Sequence, residues 1–288
     1  MKLSQRLALQ YIKTKFRLLS TISKKKAAKK AFELFCTPQY RNRKKLPTIF
    51  EKAEKITFKY NGNSIHGYRW NAAAQEKVLI LHGFESSVIN FDRYVGPLLK
   101  KGFSVLAFDA PAHGRSSGKM INALIYSEFI MYINNNYGTI KTFIAHSLGG
   151  MALSLAMEKI QHDETYKLVL IAPATETKTA SDSFFDYLKL DPKLRPAFNA
   201  YIEAISGHPP EWFSVARAAE HIKAKVLWCH DKDDDMTPYA DVIPVINKQY
   251  PNFEFYITEG LGHRRIYRDN KVKAKIIDFI SPEQKLEL

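Results

Sequence analysis

Between residues 3 and 22 the apolar positions recur with the period of a helix. Leu3, Leu7, Tyr11, Leu18 and Ile22 follow one another at steps of 4, 4, 7 and 4 and define one stripe. Lys2, Arg6, Lys13 and Arg17 fall on the opposite side, and Lys15 intrudes into the apolar sector. A second helix is expected from Ser23, a suitable N-cap, to Phe35, with Pro38 stopping it. After Pro47 the period changes. Lys55-Ile-Thr-Phe-Lys-Tyr60 alternates polar and apolar residues, Asn61-Gly62-Asn63 is a turn signal, and Ile65 to Trp70 makes a second strand. Six short apolar runs follow, at 78–81, 104–108, 142–145, 168–171, 226–229 and 253–257. Such near-continuous runs suit strands buried on both faces of a parallel sheet. Helical segments at about 91–101, 121–136, 148–160, 238–249 and 270–280 separate most of them. An antiparallel pair leading into a β-α-β series predicts an α/β fold: one mostly parallel, doubly wound, eight-stranded sheet with helices on both faces.

One connection breaks this rhythm. The stretch of about 173–224 lies between neighbouring strands and carries Phe184, Phe185, Tyr187, Phe198, Tyr201 and Trp212 among other apolar residues. A structureless loop of that length is rare inside a compact domain, so a small helical insertion is expected. The organisation predicted is a basic, helical N-terminal arm at 1–46 and an α/β domain at 47–288 that carries the insertion. No repeat or low-complexity tract interrupts it.

Charge sharpens the status of the arm. The 288-residue chain has a formal net charge of +14, and its first 45 residues hold fourteen basic side chains against one acid, Glu33. The rest is close to neutral, which argues against a uniformly basic nucleic-acid coat protein. The arm also lacks the aromatic interleaving and readable motif of a nucleic-acid binder. Its stripe can pack on its own domain, meet a protein partner, or lie on an anionic membrane surface. No apolar run is long enough to span a bilayer, and charges interrupt every N-terminal apolar stretch before a signal-peptide core can form. Cys36 and Cys229 have neither disulfide nor metal-ligand spacing. A cytoplasmic protein, with a possible location at the inner face of a membrane, is the expectation.

The chemistry centres on Phe143-Ile-Ala-His-Ser147-Leu-Gly-Gly, where an apolar strand ends, a serine follows and a helix begins. Small residues two before and two after the serine, here Ala145 and Gly149, permit the tight turn known as a nucleophile elbow. The turn exposes the serine oxygen beside the free N–H groups of a helix start. A serine needs a base. His263, in Gly260-Leu-Gly-His263 just after the last strand, is the candidate, whereas His162 and His221 read as surface residues. His146 adjoins the serine but is expected to point away from it. The base in turn needs an orienting carboxylate, and the loop after 226–229 offers Asp231, Asp233, Asp234 and Asp235.

The order serine, acid, histidine, each at a strand end, resembles that of the α/β-hydrolase-fold serine enzymes. Further motifs between about 55 and 280 carry the resemblance. Leu79-Ile-Leu-His82-Gly83-Phe84 is similar to the family's oxyanion loop, which implies that the backbone amides of Phe84 and Leu148 form an oxyanion hole. Asp109-Ala-Pro-Ala-His113-Gly114-Arg115-Ser116 resembles the family's D-x-x-G-H-G-x-S loop, with Ala112 at its first Gly position. His230-Asp-Lys-Asp-Asp234-Asp-Met-Thr-Pro238 resembles its acid loop and selects Asp234, with Asp231 standing where glycine is common. The insertion sits where the family carries its cap.

The expectation is an α/β-hydrolase-fold serine hydrolase using Ser147, His263 and Asp234, with no cofactor and no metal. Its substrate would be a small molecule with an apolar acyl or aromatic ester. Thioester hydrolysis, aminopeptidase-like peptide cleavage and C–C bond hydrolysis would serve the same triad. A non-catalytic binding protein that kept the fold is the reading from another class. His82, His113, Asp109 and Arg115 are expected to shape loops rather than touch substrate.

Overall fold

A computed structural model describes residues 3–42 and 44–281, with side chains described from residue 10 onward. Eight strands form one sheet: β1 (Glu54–Tyr60), β2 (Asn63–Trp70), β3 (Lys77–Leu81), β4 (Ser104–Phe108), β5 (Thr142–His146), β6 (Lys167–Ile171), β7 (Lys225–Asp231) and β8 (Phe253–Thr258). Their order is β1-β2-β4-β3-β5-β6-β7-β8. β2 pairs antiparallel with both β1 and β4, and every later pairing is parallel. The chain therefore winds outward from β3 in both directions, and the C-terminal ends of β3, β5, β7 and β8 collect on one edge.

The central apolar runs are buried because those strands serve two cores. Leu79, Leu81, Phe143, Ala145, Leu168 and Leu170 face one hydrophobic cluster, while Val78, Ile80, Ile144, Val169 and Ile171 face the other. Side chains that alternate across a strand, with both sides covered, leave the middle of the strand to apolar residues.

The helix expected at 238–249 is broken. A 3-10 turn spans Tyr239–Asp241 and a short α-helix spans Ile243–Asn247. Pro244 explains the break, since it has no N–H to bond back to the preceding turn and is accommodated only at a helix start.

The N-terminal helices are α1 (Leu3–Ile22) and α2 (Lys24–Phe35). Ser23 caps α2 by accepting the Lys26 N–H. α2 buries Ala27, Ala28, Ala31 and Phe32, and small alanines let it approach closely. Phe32 and Phe35 then stack on aromatic rings of the stretch between β6 and β7: Phe198 and Tyr201 for Phe32, Phe184 and Phe198 for Phe35. That stretch forms helices at Thr177–Leu188 and Arg195–Ser206.

α1 does not pack with the stripe read from its sequence. Phe16 is the side chain it buries in the core, with Ile12 and Leu19 half-buried beside it. Tyr11, Leu18 and Ile22 stand 68%, 61% and 78% exposed. The helix has two apolar sectors roughly a third of a turn apart, and the domain uses the one with the larger ring. The Leu3 and Leu7 end of the stripe, with Lys2 and Arg6, lies outside the described side chains.

Candidate active site

Ser147 joins β5 to the helix Leu148–Met157 at φ 53° and ψ −122°. A non-glycine residue holds such a backbone only at a cost of roughly 1–3 kcal/mol, and it persists where the surroundings over-determine it. They do so here. The Ser147 N–H donates to the Ile171 carbonyl at 3.1 Å, and the Ser147 carbonyl accepts from Gly150 at 2.9 Å and Ala174 at 3.0 Å. Close approach also requires the flanking glycines. A Cβ on Gly149 would lie 2.7 Å from the His82 carbonyl oxygen, and one on Gly83 would lie 2.8 Å from Ser147 Cβ. The helix start and the loop after β3 are thereby pressed against the serine.

His263 follows β8 in the short helix Gly262–Arg265. Its Nε2 lies 3.0 Å from Ser147 Oγ and its Nδ1 lies 2.8 Å from Asp234 Oδ2. The carboxylate can only accept, so Nδ1 carries the proton and Nε2 is left to accept from the serine hydroxyl. Asp234 is fully engaged. Its Oδ1 accepts the Met236 and Thr237 amides at 2.9 and 2.7 Å, and Oδ2 also accepts the Thr237 hydroxyl at 2.8 Å. Burial raises its carboxyl pKa, but the bonds from His263 and Thr237 outweigh this and hold it below the ordinary value. Asp233 and Asp235 are exposed, and Asp233 instead accepts the Gly260 N–H.

The amides of Phe84 and Leu148 flank the serine, one on the loop after β3 and one at the first helical residue. Among the described residues, neither donates to a protein acceptor. Both are free to meet an oxyanion, and the positive end of the helix dipole adds to the Leu148 amide.

Three residues to which the sequence assigned no part in this group support it. Asp231 accepts the Thr258 hydroxyl at 2.6 Å, the Leu261 amide at 3.0 Å and the Gly262 amide at 2.9 Å, so it holds the loop that presents His263. Thr237, just before Pro238, places its hydroxyl 3.1 Å from His263 Nδ1. His146 packs its ring on His263. Its ring centroid lies 4.7 Å from that of His263, and its Nε2 donates to the His263 carbonyl at 3.2 Å. A residue before Ser147 whose ring packs on His263 leaves no mark in a linear motif. Among the described residues, no group of three or more His, Cys, Asp or Glu could hold a metal ion.

Comparison with known proteins places this geometry. The family described as "Serine aminopeptidase, S33" matches residues 72–206. A "Probable serine hydrolase" of Drosophila melanogaster is 30% identical over 148 residues, which are 45% of this chain and 44% of that protein. An esterase from Pyrococcus furiosus superposes with a TM-score of 0.63 at 19% identity, over 84% of this chain and 95% of the esterase. The chain has the α/β-hydrolase fold and is similar to serine hydrolases over part of its length.

His82, His113 and Asp109 hold loops beside the site, as the sequence led one to expect. His82 accepts the Ala110 N–H on Nε2 and donates from Nδ1 to the Gly83 carbonyl. His113 accepts the Glu85 N–H at 2.9 Å and donates from Nδ1 to the Pro111 carbonyl. Asp109 clamps the Ser87 hydroxyl and the Val88 and Arg115 amides. The Arg115 contact is therefore made by its backbone N–H, not by its guanidinium.

Proposed function

We propose that the chain hydrolyses a carboxylic ester through an acyl-enzyme intermediate. Ser147 Oγ attacks the acyl carbonyl while His263 Nε2 takes its proton, and His263 then returns that proton to the leaving alkoxide. Asp234 keeps Nδ1 protonated and offsets the imidazolium charge. The amides of Phe84 and Leu148 receive the tetrahedral oxyanion, and water activated by His263 releases the acid. The observation that carries this reading is the continuous chain Ser147 Oγ–His263 Nε2 at 3.0 Å and His263 Nδ1–Asp234 Oδ2 at 2.8 Å. A fluorophosphonate probe tests it. The wild type should label and Ser147→Ala should not; a wild type that resists the probe ends the serine-nucleophile reading. A panel of aryl esters, acyl thioesters and aminoacyl anilides then sets the bond type, with esters expected to turn over fastest.

His146 acts as a positioning residue in this scheme. His146→Phe keeps an aromatic ring against Tyr267 and Phe91, both of which already pack on it. It removes the donor that tethers the His263 main chain. The expected result is a drop in kcat of about tenfold to a hundredfold, with KM nearly unchanged and the melting temperature close to wild type. An unaltered kcat would show that the tether is dispensable.

A further inference from the structure

α1 carries a second apolar face. Its inner face, Ile12, Phe16 and Leu19, meets the core, whereas Tyr11, Leu18 and Ile22 point outward at steps of 7 and 4. Nine large hydrophobic side chains are exposed among the described residues, and three of them share this one stripe. Scattered exposed apolar residues are ordinary, but an aligned row on a helix already packed elsewhere is a surface with a second partner. Further round the helix, α1 walls a cleft of about 750 Å³ lined by Lys13, Arg17 and Lys24, and by Lys189 and Lys193 from the far side. Asp191 is the one acid that lines it, and its carboxylate accepts the Lys193 N–H at 2.9 Å. Thr14 and Thr21 bridge the angular gap between these cations and the apolar row.

We propose that α1 and this cleft dock the protein on an anionic membrane, with Tyr11, Leu18 and Ile22 entering the acyl region and the cations meeting headgroup phosphates. The charge decides the partner. A second copy of the chain would bring the same cationic arm, fourteen basic side chains against Glu33, and repel it. A bilayer with acidic lipids offers apolar depth and negative charge in one surface, which suits an apolar row with long cationic side chains on the far flank of the same helix reaching back to the headgroup layer. Lys15 lies between the inner and outer faces, where its stem can lie in the apolar layer while the ammonium reaches the phosphates. α1 touches the helix Thr177–Leu188, and α2 packs on Arg195–Ser206. Docking would thus bring the apolar segment between β6 and β7 to the membrane. This deepens the ester-hydrolase reading, and rests on it, by assigning the substrate to lipids or other acyl esters that partition into a bilayer.

The test uses full-length Ser147→Ala protein, so that binding is read without turnover. It should sediment with vesicles containing phosphatidylserine at low salt, dissociate at high salt, and ignore pure phosphatidylcholine. Arg17→Glu and Lys24→Glu should each weaken binding about fivefold or more, and Leu18→Asp with Ile22→Asp should abolish it with circular dichroism unchanged. No sedimentation with acidic vesicles overturns the proposal. So does sedimentation that none of these variants alters, or a change of oligomeric state in the Leu18 and Ile22 variants without vesicle binding, which would make the stripe a protein interface. A separate arm with the active protein keeps the two readings apart. Ile22→Asp should slow hydrolysis of a vesicle-borne ester while leaving a soluble aryl ester untouched. A wild type that docks but cleaves neither refutes the ester reading alone.

Discussion

Asp234→Asn is expected to lower turnover of a short-chain aryl ester by about four orders of magnitude, while Asp233→Asn and Asp235→Asn stay within a few fold of wild type. The reason lies in how the side chain is held. Oδ1 of Asp234 accepts two amides, from Met236 and Thr237, at 2.9 and 2.7 Å. An asparagine must keep its oxygen there, because its NH2 would otherwise face two donors. Its NH2 is then directed at His263 Nδ1, where a carboxylate oxygen stands at 2.8 Å in the native chain. That donor forces the imidazole into the other tautomer, with the proton on Nε2. A protonated Nε2 cannot accept from Ser147 Oγ, so the geometry survives while the base is lost. Asp233 and Asp235 are exposed. The Asp233 oxygen that accepts the Gly260 N–H at 2.8 Å can be replaced by an amide oxygen. Steady-state kinetics and the rate of fluorophosphonate labelling should fall together for Asp234→Asn. A large loss in the Asp233 or Asp235 variant instead would move the orienting role to that residue.

The legibility of this chain in its sequence follows from what each signal encodes. The central strands were readable because burial on both faces leaves apolar runs, β1 because a half-exposed strand alternates, and the hairpin because Asn61-Gly62 supplies positive φ where the turn needs it. Ser147 and His263 were readable because tight turns demand small neighbours in fixed positions. Asp234 required the resemblance, since four acids crowd that loop and composition ranks none of them. Asp231, Thr237 and His146 stayed hidden for a different reason. Each acts across loops that meet only when the sheet closes, as His146 and His263 do from 117 residues apart. α1 shows the converse limit. Periodicity reports that a stripe is apolar, but not whether the domain or another surface covers it. There the stripe that looked best in sequence stayed outside.

Acid should destabilise this protein well before its carboxylates protonate. His82, His113 and His146 are buried, and burial pushes their pKa values down to about 4, about 3 and about 3, with the neighbouring His82 adding to the effect on His113 and His263 adding to that on His146. The hydrogen bonds give the structural reason. His82 and His113 each use Nε2 to accept a backbone N–H, from Ala110 and Glu85, so a second proton would set donor against donor. In the unfolded chain the same rings titrate near 6.5. Above that pH both states are neutral and the histidines impose no penalty. As pH falls through 6.5 the unfolded state binds protons that the folded state refuses, so stability is lost progressively towards pH 4. Three such groups give a slope approaching about 4 kcal/mol per pH unit once all three are charged in the unfolded chain. Asp234 and Asp231, held below their ordinary values, add a further loss only below about pH 4. Asp109, raised by burial, works in the opposite direction above about pH 4, where its folded-state proton uptake offsets part of the histidine loss. Urea unfolding at pH 7.5, 6.0, 5.0 and 4.5 measures the slope. His113→Gln is the matched control, because a glutamine can accept the Glu85 N–H and donate to Pro111 without titrating. That variant should be less stable than wild type at pH 7.5, yet lose stability about one-third less steeply on acidification. A wild type whose stability is flat from pH 7 to 5 would mean that these rings are protonated in the folded protein, and a His113→Gln slope equal to wild type would remove His113 from the set.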